Sequence, residues 1–153
     1  MKKLVFACFI LATVAVACGS DQGQSQADDT AAGTAIDPAS VRFVCEPVEE
    51  PNIEADAPRH EVFVQMGDKK VKVADILNCD VLPTDQYASY QIPEGALHAV
   101  LGWWAGGGDL LYIAREGGNF VVKQGYIGEE MEGNDDPGFK TVIAFSSDGR
   151  KVN

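Results

Sequence analysis

Two runs of alternating apolar residues, each folded around a glycine-bearing turn, predict a mainly β chain with short helices (an α+β class). The expected architecture is a small antiparallel sheet or sandwich built from hairpins. The clearer run is Val62-Phe63-Val64-Gln65-Met66, followed by Gly67-Asp68 and then Lys69-Lys70-Val71-Lys72-Val73. A two-residue Gly-Asp loop suits the turns whose twist matches that of paired strands. It sets Val64 opposite Val71 and Val62 opposite Val73 on one face, with Gln65 opposite Lys70 and Phe63 opposite Lys72 on the other. The second run extends from Leu110 to Arg115, turns through Glu116-Gly117-Gly118-Asn119 and returns from Phe120 to Gln124. Its pairing sets Ile113 opposite Val122 and Ala114 opposite Val121, and the Gly-Gly pair adopts positive φ at little cost.

The remaining elements are shorter. Ala74-Asp75-Ile76-Leu77-Asn78 reads as one helical turn, and Thr84 as the cap of a short turn through Asp85 to Tyr90. From Pro93 to Leu101 the expectation is a helix, with Pro in its first turn, apolar residues at 97, 100 and 101, and Gly102 at its C-terminal cap. The same residues also alternate (Leu97, Ala99, Leu101, Trp103), which would suit a strand. Phe139 to Phe145 reads as a final strand with Phe139, Ile143 and Phe145 on one side. Ile143 to Val152 is similar to the strand–turn–strand phrase of β-propeller blades. With about 110 residues and no blade-length repeat, a propeller cannot close, so a polar Asp148-Gly149 turn is expected instead.

The N-terminal residues carry an address. Met1-Lys2-Lys3 precedes an apolar run from Leu4 to Ala17 that is too short to span a bilayer, which needs about 20 residues. Ala15-Val16-Ala17-Cys18 resembles the lipobox of bacterial lipoproteins: a small residue precedes the cysteine, Gly19 and Ser20 follow it, and Ala15 stands where leucine is commoner. The resemblance implies a signal peptide over residues 1–17, cleavage before Cys18, and acyl chains on that cysteine. At about 0.8 kcal/mol per buried methylene, two or three chains hold a protein on a membrane where one is marginal. It further implies the outer membrane where a cell has two, because Gly19 replaces the aspartate that signals inner-membrane retention. Residues 18–40 are polar and small apart from Ile36 and read as the lipidated cysteine and a flexible tether, of root-mean-square span about 25 Å. Residues 41–153 then form one globular domain.

With Cys18 assigned to lipid and Cys8 lost with the signal, Cys45 and Cys79 remain, and an even remainder outside the cytoplasm reads as one structural disulfide. The competing redox or metal pair lacks Cys-x-x-Cys spacing and a histidine at ligand distance in sequence. Net charge is −11 and becomes about −13 once Lys2 and Lys3 leave, which disfavours nucleic acid as a partner.

For a binding site the sequence offers Gly102-Trp103-Trp104-Ala105-Gly106-Gly107-Gly108-Asp109. Adjacent tryptophans on a strand face opposite ways, so one is expected in the core and the other near the surface, where with Asp109 it could meet a sugar or an apolar side chain. The alternative is a sheet with two large core residues and a glycine-rich hairpin loop. Five carboxylates between Glu129 and Asp136 read as a solvated acidic loop rather than a cation site, since their spacing departs from the EF-hand. His60 and His98 read as surface or satisfied core residues, and Ser89, Ser146 and Ser147 lack a nucleophile elbow. No catalytic residue, metal or cofactor is expected. The expected function is a non-enzymatic module for a basic envelope protein or a glycan. The alternative is a small envelope hydrolase using Asp109, Glu129 and Glu130.

Overall fold

The computed structural model describes residues 33–49, 58–128 and 136–152. Cys18, the signal segment and the acidic run 129–135 lie outside the described residues. The expected mainly β architecture is what the chain forms: two antiparallel sheets with short 3-10 segments and one disulfide. The first sheet has three strands in the order β1 (Arg42–Pro47), β2 (Arg59–Met66) and β3 (Lys69–Leu77). The second is a six-stranded meander of β4 (Asp80–Val81), β5 (His98–Trp104), β6 (Gly107–Glu116), β7 (Asn119–Gly128), β8 (Lys140–Phe145) and β9 (Lys151–Val152). Among the described residues no helix is long and apolar enough to cross a membrane.

Both hairpins form where the alternation puts them. Gly67 supplies positive φ (57°) at the β2–β3 turn, and Val64 faces Val71, Gln65 faces Lys70 and Phe63 faces Lys72. A bulge then shifts the register, so Val62 meets Ala74 rather than Val73. The bulge lets Val71, Val73, Ala74 and Ile76 all pack on the core, and it corrects the expected helical turn at 74–78: Ala74 to Leu77 continue β3, and Asn78 follows its end. In the β6–β7 hairpin Gly117 and Gly118 both have positive φ, with Ile113 opposite Val122 and Ala114 opposite Val121.

The three-stranded sheet lies on one face of the six-stranded sheet. Val41, Phe43, Val62, Val64, Met66 and Ile76 pack there against Val100, Leu111, Ile113, Phe120, Val122 and Phe145. Fully burying each such side chain stabilises the fold by roughly 1.5–3 kcal/mol. The opposite face of the large sheet holds Ala99, Leu110 and Tyr112, covered by Leu82, Tyr87, Ile92 and Ala96 from the connection between β4 and β5. A 3-10 helix at Thr84–Tyr90 belongs to that cover, as the sequence suggests, although Pro83 and not Thr84 occupies its N-cap.

Strands β5 and β6 are therefore buried on both faces, which corrects the helix expected over 93–101. Residues from His98 onward are strand, and the consecutive buried pair Ala99-Val100 feeds one core from each side. In β8 a register shift leaves Val142 unpaired between Thr141, opposite Lys123, and Ile143, opposite Val122. Ile143 and Phe145 consequently join the inter-sheet core, whereas Phe139 turns to the other face and packs edge-on to Tyr112 (ring centroids 4.8 Å apart). This corrects their placement on one side. Nor is β8 the last strand, since the Asp148-Gly149 turn leads into β9.

Cys45 on β1 and Cys79, just before β4, form the expected disulfide, with Cα atoms 6.4 Å apart and a separation of 34 positions in sequence. It ties the outer strand of the small sheet to the entry of the large one. Residues 33–40 dock on the same unit: Ile36 packs on the inter-sheet core, and its amide donates to the Ser147 carbonyl at 2.7 Å. Composition assigns them to the tether, yet one apolar side chain with a backbone hydrogen bond holds them down.

Candidate functional site

The small sheet covers only part of the large sheet's inner face. Beyond it, towards the β5–β6 turn, the alternate rungs that share this face across β5, β6 and β7 are Gly102–Asp109–Tyr126 and Trp104–Gly107–Gly128, with Trp103–Gly108–Ile127 between them. Glycines thus alternate with large side chains, and the large ones crowd together. The Trp104 and Tyr126 rings lie 5.9 Å apart at 42°, and the Tyr126 hydroxyl donates to the Gly106 carbonyl at 3.0 Å. Gly107 is required here: its φ is 143°, and a Cβ would run into the Ile127 carbonyl and stand 2.6 Å from the Tyr126 hydroxyl. Gly102 has a different duty, because a Cβ there would lie 2.7 Å from Ile76; its absence lets β5 approach β3.

Asp109 lines two open hollows. The first, about 260 Å³, is walled by Trp104 on one side and by Arg59, Asp75, Ile76 and Leu77 at the end of the small sheet on the other. The second, about 470 Å³, runs past Gln124 and Tyr126 to Lys140 and Val142. Gln124 donates its side-chain amide to Asp109 Oδ1 at 3.2 Å, and Oδ1 is the only oxygen of that carboxylate with a side-chain partner among the described residues. At the rim Asp75 accepts from Arg59 (3.1 Å) and Lys72 (3.0 Å). The Lys72 hydrogen bond holds the Asp75 carboxyl below the usual carboxylate range, so it stays ionised.

The sequence candidates separate. Trp104 and Asp109 come together in one hollow. Trp103 points to the opposite face, 46 % exposed, where its indole N–H donates to Asp80 at 2.6 Å. The expectation that one tryptophan fills the core is corrected: Trp103 is exposed and Trp104 half-buried. The core sites on β5 go to Ala99 and Val100, and the strand leaves the covered region before residue 103. Asn78 fixes that exit. It sits at φ 51°, is buried, and donates its side-chain amide to the Trp103 carbonyl at 2.7 Å.

His60 and His98 take no part in the hollows. The His60 ring nitrogen lies 3.0 Å from the Pro58 carbonyl, and His98 Nδ1 accepts the Phe43 amide at 3.4 Å between the sheets. Tyr126, Gln124, Lys140 and Arg59 are site residues that the sequence reading passes over. Extending the Ile113–Val122 register four residues outward places Asp109 opposite Tyr126, so those on β7 could have been found. The chain matches no protein-family model, no curated protein and no solved structure.

Proposed function

We propose that this chain is a membrane-anchored envelope lipoprotein whose domain is a non-enzymatic binding module, with the uncovered end of the large sheet as its binding surface. The anchor reading rests on Ala15-Val16-Ala17-Cys18 and the small residues after it. The inter-sheet disulfide suits an oxidising compartment, and Gly19 suits the outer membrane of a two-membrane cell. The observation that carries the binding reading is the gathering of Trp104, Tyr126, Asp109 and Gln124 around open hollows. Aromatic rings with polar tips beside a few convergent polar groups are what ligand sites are commonly built from.

Two measurements test this. The Cys18→Ser chain is expected in the soluble fraction after cell lysis, with the native chain in the membrane pellet; equal partition would defeat the anchor. Envelope material retained by the immobilised native chain is expected to be lost with Trp104→Leu. Retention unchanged by that substitution would remove the site from this surface.

A further inference from the structure

We propose that the two hollows lined by Asp109 take two consecutive pyranose rings of a neutral glycan, one against Trp104 and the other against Tyr126. The inference rests on the binding reading above and names the ligand for it. Size is the first argument. A stable protein partner covers about 800 Å² and 20–30 residues on each side. The apolar groups open here are few, chiefly Trp104, Leu77 (37 % exposed), Tyr126 (47 %) and Val142 (42 %). The hollows, about 260 and 470 Å³, are instead close to the range of small-ligand sites, roughly 300–1,000 Å³.

Chemistry is the second. A pyranose with equatorial hydroxyls presents flat C–H faces and a rim of groups that both donate and accept. The electron-rich faces of indole and phenol attract the C–H faces. The rim finds acceptors in Asp109, both functions in the Gln124 amide, and a donor in Lys140. Asp109 lines both hollows and so stands where the link between the two rings would pass. In the first hollow the carboxylates of Asp75 and Asp109 outnumber the single guanidinium of Arg59, and together with a net charge of −11 they oppose an anionic sugar.

The test is titration calorimetry on the full chain, held in a zwitterionic detergent that carries no sugar. The probes are cellobiose, N,N′-diacetylchitobiose and a glucuronate-containing disaccharide. At least one neutral disaccharide is expected to bind saturably and more tightly than the acidic one. Asp109→Asn, which keeps shape and removes charge, and Tyr126→Ala are each expected to weaken it about tenfold, the equivalent of about 1.4 kcal/mol. Trp104→Leu is expected to abolish it, with near-ultraviolet dichroism checking that the variants stay folded. No saturable binding of either neutral probe overturns the glycan inference, as does binding that all three substitutions leave intact. If the sugars fail while envelope material is still retained in a Trp104-dependent way, the glycan inference falls and the binding surface stands. If that retention is also lost, both fall.

Discussion

Single side chains decide where this surface opens. The Trp103-Trp104 pair is legible in the sequence as two rings on opposite faces, but which ring joins the site depends on where the small sheet ends, and no local pattern records that. Asn78 is one of the residues that sets it. Its left-handed backbone, accessible to asparagine, turns the chain from the small sheet towards the large one, and its amide holds the carbonyl of Trp103. Asn78→Ala is expected to lose the hydrogen bond and to add backbone strain, for a total cost of about 2–4 kcal/mol of stability. Asn78→Gly keeps the backbone free and should cost only the bond, about 1–3 kcal/mol. Urea unfolding of the pair checks this, and equal stability of the two variants would show that the backbone conformation is not what asparagine provides.

At the scale of elements, the sequence shows hairpins well and interruptions of hairpins poorly. Gly67-Asp68 and Gly117-Gly118 announce their turns because only a few residues satisfy that backbone. Bulges leave a subtler trace. At Val73-Ala74 the apolar residues move from odd to even positions, which mimics the start of a helical period and in fact marks an inserted strand residue. Val142 does the same in β8 and parts Phe139 from Ile143. The third confusion, over 93–101, arises because burial on both faces puts apolar residues at odd and even positions alike, so that a helical spacing fits them as well as an alternation does. Cys45–Cys79 adds a covalent link between the two sheets, beside their packing and the Phe43–His98 hydrogen bond. Closing a loop of 34 residues contributes about 4 kcal/mol in the chain-entropy estimate. The Cys45→Ser/Cys79→Ser chain is expected to lose about 2–4 kcal/mol, read as a lower denaturant midpoint, and reductant should lower the native midpoint similarly but leave the variant's unchanged.

For the whole molecule, the contact between the two sheets carries a pH dependence that can be derived from His98. Its ring lies against Phe43, with centroids 5.9 Å apart at 66°, and its Nδ1 accepts the Phe43 amide, a role open only to the neutral form. Burial first, and the nearby Arg42 charge second, push its pKa below the ordinary value of about 6.5. Below that ordinary value the unfolded chain takes up a proton that the folded chain refuses. The stabilisation is therefore fully present above about pH 6.5. It declines as pH falls towards the depressed folded value, by at most about 1.4 kcal/mol per pH unit. Asp75 and Asp148 open a second, more acidic window. Hydrogen bonds from Lys72 to Asp75 and from Ser146 to Asp148 lower both carboxyls, so their contribution is present above the ordinary carboxylate range and lost as pH falls through the depressed folded values. Unfolding free energy measured from pH 8 to pH 3 should thus fall in two stages. His98→Asn retains a neutral acceptor without a titrating ring, and it is expected to flatten the first stage while leaving the second in place. A first stage that persists in His98→Asn would show that the sheet contact is not what senses the proton.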